Sequence, residues 1–241
     1  MVRSTGDPVV VELFTSQGCS SCPPADELLS ELAEDPELHG RIVPLAFHVD
    51  YWNSIGWEDP FSSEEWSDRQ RRYARALPSG RVYTPMLVVD GRTHMVGSRE
   101  PEARRAIAEA LARKPGAQLE VEVEWTPGEA SGGVVTATAR VIEMASDAPE
   151  PGELRTRIAL FESGLDTSVP RGENRGRRLH NDVVVRRLAT VSGRGGKTTF
   201  PLAPGWEPQH LGVAVFLQDP ETMAILGAAA DLSLRADSTP E

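Results

Sequence analysis

Cysteine is almost absent from this chain: Cys19 and Cys22 are the only two in 241 residues. Two thiols cannot build the disulfide framework of a small secreted scaffold, so the core must come from apolar packing. Aromatic residues are sparse at 6%, and no apolar stretch is long enough to cross a bilayer. Positive charge is in deficit, with 25 Lys and Arg against 36 Asp and Glu for a net charge of −11. A nucleic-acid partner wants a basic surface and is therefore disfavoured. The local basic clusters (Arg69, Arg71, Arg72, Arg75, and later Arg171, Arg175, Arg177, Arg178) read as solvated faces or internal ion pairs. Internal repeats, a phosphate-cradling loop and a nucleophile elbow are missing; Gly193 to Gly196 is too short and lacks a flanking helix signal. Met1 to Pro8 is too short and polar for a secretory leader. As written, the chain is expected in the cytoplasm; as a trimmed mature chain it would be periplasmic or secreted.

What is present is the spacing of the two cysteines, Cys19-Ser20-Ser21-Cys22. A β-like run, Val9 to Phe14, leads through Thr15-Ser16-Gln17-Gly18 into the pair, and an amphipathic helical run begins near Pro24. A helix N-terminus offers unpaired N–H groups and a positive dipole end, which stabilise a thiolate. The thiolate is the nucleophile of thiol–disulfide exchange. Cys19, as the exposed member of such a turn, is expected to attack, and Cys22 to resolve the mixed disulfide. Pro23 suits a first helical turn but disfavours helical angles at Cys22, so the helix is expected to start a residue or two late.

Residues 8–114 alternate strand-like and helix-like segments. Leu28, Leu29 and Leu32 keep helical spacing up to an Asp35-Pro36 stop, and a buried strand runs from Ile42 to Val49. Ser63 reads as the cap of a helix whose face is Trp66, Gln70, Tyr73 and Leu77. Met86 to Val89, the Asp90-Gly91 turn and Thr93 to Val96 read as a hairpin, and a last helix carries Ile107 and Leu111. The order β-α-β-α-β-β-α predicts a mixed sheet flanked by helices. Past a hinge at Lys114-Pro115-Gly116 the pattern turns to strands: Leu119 to Trp125, Val134 to Ile142, Leu154 to Phe161, Leu179 to Val191, Thr198 to Leu202 and Leu211 to Leu217. Turns such as Pro149-Glu150-Pro151-Gly152 separate them. Residues 118–234 are thus expected to form an all-β, sandwich-like accessory domain.

Arg81-Val82-Tyr83-Thr84-Pro85 opens a strand with a Thr-Pro pair, where proline tolerates a cis bond. Such a turn beside a cysteine pair can present backbone to an extended substrate chain. Together with the strand, Cys-x-x-Cys and helix, it resembles the thioredoxin superfamily. More closely, Glu12 to Asp26, Phe47 to Trp52, Tyr83-Thr84-Pro85, Gly172-Glu173-Asn174 and Gly176-Arg177 look like the bacterial family called domain of unknown function 1223. That resemblance spans nearly the whole chain. It implies a thioredoxin-like domain with an extra C-terminal β region, often in exported proteins and without an established substrate. Gly18 and Ser20-Ser21 depart from thioredoxin proper, which has tryptophan before the pair and Gly-Pro within it.

The leading expectation is a thiol–disulfide oxidoreductase with Cys19 and Cys22 as the redox pair and Pro85 shaping the docking site. No cofactor is expected. Its partner would be a protein or small molecule bearing a disulfide or dithiol. By resemblance Glu12 is the buried proton acceptor, although strand alternation can turn it away, and a paired structural carboxylate is the alternative. Thr84, Tyr51 and Trp52 are expected to contact substrate, with Trp57 nearby; aromatic packing under a loop is the competing reading. His48 and Asp50 share a face near the cysteines, for proton transfer or as a hydrogen-bonded core histidine. The main alternative is soft-metal binding, copper above all, by Cys19, Cys22 and His48. Another is a binding module with a structural disulfide, which a loop this short would stabilise little. Glu173 to Arg177 offers a site for an anion or a partner, although a polar turn stapled by salt bridges is the better reading.

Overall fold

A computed structural model describes residues 7–78, 80–128, 133–146, 148 and 154–232. The expected turn at Pro149 to Gly152 lies outside these. Val9–Thr15 (β1) is buried at every position. It pairs in parallel with Ile42–His48 (β2) and antiparallel with Met86–Val89 (β3), beyond which Thr93–Val96 (β4) forms the edge. Three helices flank these strands: Pro23–Glu34 (α1), Glu64–Ala76 (α2) and Glu100–Leu111 (α3).

Alternation along β1 sorts its side chains between two faces. Leu13 faces α1: a Cβ added at Gly97 would lie 2.7 Å from Leu13 Cδ1, 3.0 Å from the Ala25 methyl and 3.3 Å from Pro85. Phe14 faces α2, stacking on Phe47 at 5.5 Å and meeting Tyr73 edge-on at 5.8 Å. The local signals act as read. Ser63 Oγ caps α2 by accepting from Glu65 N at 3.2 Å. α1 ends at Glu34, before Asp35-Pro36. Asp90 and Gly91 turn the hairpin with φ of 51° and 64°. Gly91 is also needed for closeness, since a Cβ there would lie 2.0 Å from the Met223 carbonyl oxygen. Helix α1 does not start late. Cys22, its N-cap, keeps helical angles (φ −81°, ψ −38°) despite the following proline.

The C-terminal half supplies Ala117–Thr126 (β5), Val134–Met144 (β6), Arg155–Glu162 (β7), Leu165–Ser168 (β8), Arg178–Asn181 (β9), Val184–Ser192 (β10), Gly195–Pro201 (β11), Leu211–Gln218 (β12) and Ile225–Asp231 (β13). Four of them extend the first sheet, giving the order β13-β12-β7-β10-β2-β1-β3-β4. The join is narrow: Val184 faces Ala46 in parallel, and Ala46 N donates to Val183 O at 2.8 Å. A second sheet, β11-β6-β5, covers one face of this extension, and β8-β9 stands apart as a hairpin. The protein is therefore a mixed α/β structure with one large mixed sheet, three α-helices among the described residues, and two smaller sheets.

β7 and β12 are apolar on both faces because each face has a core to fill. Ala159, Phe161, Ala214 and Phe216 join the core around β1, whereas Ile158, Leu160, Val213 and Val215 pack with Leu119, Val121, Val135 and Ala137 of the second sheet. The expected strand from Leu179 to Val191 is broken at Val183, whose φ is 51°. That kink lets β10 enter the large sheet while β9 leaves it to pair with β8. Among the described residues no helix is long and apolar enough to cross a membrane.

Candidate functional site

The turn between β1 and α1 brings Cys19 and Cys22 together as a disulfide at the helix N-terminus, with Cα atoms 5.4 Å apart. Neither cysteine is exposed, at 0% each, while Ser20 and Ser21 face solvent. The expectation of an exposed Cys19 is corrected here, and the reason is the packing around its sulfur. The Thr84 hydroxyl donates to Cys19 Sγ at 3.3 Å, and Ser21 Oγ lies 3.3 Å from the same atom. Trp52 Nε1 donates to Thr84 Oγ1 at 2.8 Å, which leaves the Thr84 hydrogen free to point at sulfur. The Thr84-Pro85 bond is cis and Pro85 is buried. The Tyr51 hydroxyl donates to Gln70 Oε1 at 3.1 Å, and Gln70 Nε2 donates to Tyr83 O at 2.6 Å. Thr84, Trp52 and Tyr51 thus belong to one hydrogen-bonded rim beside the disulfide.

A buried acid–base cluster occupies the α1 face of the sheet. Thr15 and His48 stand opposite each other in the β1–β2 register. Asp26 follows Cys22 by four residues, one helical turn on, so both side chains share a face of α1. Burial pushes the Asp26 carboxyl up to about 7, against the opposing pull of nearby His48. His48 Nδ1 lies 2.8 Å from Asp59 Oδ2. Burial, the largest single influence, would push His48 down, but the Asp59 charge, the hydrogen bond to Asp59 and the Asp26 charge together outweigh it and hold His48 above its ordinary value. Asp59 resists the upward push of burial through His48 and the N–H groups of Gln17 and Phe61, and stays below the usual carboxylate range. Asp26 Oδ1 and His48 Nε2 are buried without a hydrogen-bond partner among the described residues. Asp50 is engaged elsewhere, by the Ser67 hydroxyl.

Glu12 is not brought to this cluster. It lies on the other face of β1, where Oε1 accepts from Arg69 Nε at 2.6 Å and Oε2 from the Tyr73 hydroxyl. Arg69 also donates to Gln218 Oε1 at 3.1 Å, so the group ties α2 to β12. Among the described residues no three His, Cys, Asp or Glu side chains form a group able to hold a metal ion.

The C-terminal half grips the cysteine turn directly. Asn174, itself 0% exposed, donates through Nδ2 to Gln17 O at 2.8 Å and Cys19 O at 2.9 Å. Gln17 Nε2 donates to Asn181 Oδ1 at 2.6 Å, and Ser20 N to Glu173 Oε2 at 2.9 Å. The sequence flags Glu173, Asn174 and His48, but not that the first two hold the cysteine turn, nor the part played by Gln17 and Asn181, nor the grouping of His48 with Asp26 and Asp59. For that grouping only Asp26 had a local signal, its four-residue spacing from Cys22. Asn174 and Asn181 lie more than 150 residues from the turn they hold.

A small α/β protein with a disulfide at a helix N-terminus is the class this fold and site define. Residues 10–218 match the family described as proteins of unknown function, DUF1223, and the chain belongs to that family. It is also similar to a protein of Agrobacterium tumefaciens known from an X-ray structure, at 29% identity over 97% of this chain and 96% of that one, with a TM-score of 0.68. HBP35 of Porphyromonas gingivalis shares the fold, with 16% identity, a TM-score of 0.63, and coverage of 98% of this chain and 78% of that one. No curated protein matches the chain.

Proposed function

We propose that the protein is a thiol–disulfide oxidoreductase, with a thioredoxin-like N-terminal half and a sandwich-like accessory half fused to it through the shared sheet. The observation that carries this reading is the Cys19–Cys22 disulfide at the start of α1, with a threonine hydroxyl aimed at Cys19 Sγ. A partner thiolate attacks Cys19 Sγ; the bond to Cys22 breaks and its electron pair leaves on Cys22 Sγ. Asp26, protonated up to about pH 7 and one turn away, supplies the proton that leaves Cys22 as a thiol. A second partner thiolate then attacks the partner's own sulfur, and Cys19 departs as a thiolate. Run backwards, the same steps oxidise the protein's dithiol, with the Asp26 carboxylate taking the Cys22 proton. The hydrogen bond from Thr84 and the end of α1 favour the Cys19 thiolate over Cys22.

Access to Cys19 requires the Trp52–Thr84 rim to open. The two loops of that rim carry Ile55 and Val82, at 44% and 43% exposure, which offer an apolar grip to a polypeptide partner. The test is the reduction potential of the pair, with Cys22→Ser as a trap. A reversible couple between about −120 and −270 mV is expected, the span of known thiol oxidoreductases. Cys22→Ser should accumulate a mixed disulfide on Cys19. A potential well below about −300 mV, with no trapped adduct, would mark an inert bridge and end this reading.

A further inference from the structure

We infer that the turn at 172–177, carried by the β8-β9 hairpin, is a built-in part of the redox site, and that Glu173 is a positioning residue that makes the Cys19–Cys22 pair more reducing. The inference rests on the redox reading above and deepens it by assigning a regulator of the pair to the C-terminal half.

The hairpin presents this turn rigidly. Its neck is closed by bonds from Val169 N to Arg177 O at 2.9 Å and from Gly176 N to Val169 O at 2.8 Å. Gly172 and Gly176 both take φ of 80°, a left-handed angle that lets the chain fold back on itself within six residues. Asn174 is fixed at the tip: Nδ2 holds the carbonyls of Gln17 and Cys19, and Oδ1 accepts from Arg177 Nη1 at 3.1 Å. With Asn174 anchored, its neighbour Glu173 delivers a carboxylate to Ser20 N, the first backbone donor after Cys19. The Ser20 hydroxyl first, and its backbone N–H second, hold the Glu173 carboxyl below its usual range, so it is charged at neutral pH. No cation forms an ion pair with Glu173 among the described residues.

Two consequences follow, and they have the same sign. A negative charge beside Cys19 disfavours its thiolate. The Ser20 N–H, engaged by Glu173, is also withheld from developing negative charge on sulfur. Both destabilise the reduced form and lower the reduction potential. Glu173 is exposed, so the effect is modest and screened by salt.

The test compares the full-length protein with Glu173→Gln and Glu173→Asp by equilibration against a dithiol buffer strong enough to reduce even a structural bridge. Every protein then yields a potential. The absolute value for the unaltered protein judges the redox reading, and the difference between proteins judges this inference. At low ionic strength Glu173→Gln should shift the equilibrium about threefold toward the reduced form, ~14 mV upward. Its Cys19 should alkylate at lower pH than that of the unaltered protein. Glu173→Asp should stay within a factor of about 1.5 of the unaltered protein, and 1 M salt should erase most of the Gln shift. A Gln variant that folds as judged by circular dichroism but leaves the equilibrium unchanged overturns the inference. So does a shift that survives high salt undiminished, which would assign the effect to loop geometry rather than charge.

Discussion

The two faces of β1 bury two polar clusters, and the contrast between them separates scaffold from chemistry. On the α2 face, Glu12, Arg69, Tyr73 and Gln218 satisfy one another, and Arg69 is sandwiched by Phe47, Tyr73 and Phe216 at 5.2–5.4 Å. On the α1 face, Asp26, His48 and Asp59 are also buried, but among the described residues Asp26 Oδ1 and His48 Nε2 have no hydrogen-bond partner. A closed network fixes geometry; an open one, with a carboxyl near 7, can exchange a proton. The two faces of one strand are thus lined by a closed group, tied through Arg69 and Gln218 to β12, and by an open acid–base group next to the cysteine turn.

Breaking the closed cluster should have the largest effect on stability. Arg69→Met leaves Glu12 buried with its ion partner gone, which costs about 3–5 kcal/mol. Urea denaturation measures that loss. In whatever fraction remains folded, the equilibrium of the cysteine pair with glutathione should move by less than about twofold. A larger shift would mean that the two faces are not functionally separate.

Opening the α1 cluster should act in the opposite direction. The folded pKa of Asp26 is raised, so the native state holds its proton over a range where the unfolded chain has released it. Its stabilising share is complete below about pH 4 and is lost as pH rises through about 7. His48, also raised, has the same sign, with its share lost as pH rises through its folded value. Asp59, depressed, has the opposite sign and loses its share only as pH falls below the usual carboxylate range. Asp26→Asn should therefore be more stable than the unaltered protein at pH 8, by on the order of 2 kcal/mol. The advantage should vanish near pH 4. If Asp26 serves Cys22, the variant should also slow disulfide exchange at neutral pH. A variant that gains stability yet keeps full exchange rate would reduce Asp26 to a buried liability.

Much of the fold and of the site is legible in the sequence alone. Cys19, Cys22, Thr84 and Pro85 announce themselves through local spacing, and Ser63, Asp35-Pro36 and Asp90-Gly91 mark their boundaries by backbone chemistry that acts within a few residues. The runs in β7 and β12 were recognisable as strands. Their apolarity on both faces, however, does not say which core takes which face. The edge-to-edge join at Ala46 and Val184 was invisible for the same reason, since one backbone bridge leaves no side-chain pattern. Glu12 shows the limit most clearly. Its burial follows from the apolar run around it, but the face it takes is matched to Arg69, 57 residues away, and no local pattern shows that partner.

The smallest effect tests which part of the rim touches the chemistry. Thr84→Val keeps shape while deleting the hydroxyl that points at Cys19 Sγ, and Trp52→Phe deletes the donor behind it together with part of the ring system. Measured on reduced protein in a Cys22→Ser background, the pH profile of Cys19 alkylation should shift upward for Thr84→Val. The rate near pH 7 should fall about fivefold, the worth of one hydrogen bond of ~1 kcal/mol. Trp52→Phe should change that profile less, because Thr84 keeps its hydrogen for sulfur. It should instead speed alkylation of the folded protein by a bulky reagent, since the latch across the rim is gone. Equal profiles for both variants would make Thr84 and Trp52 a lid alone, and the Cys19 thiolate would then depend on the helix end and whatever Glu173 leaves of its backbone donors.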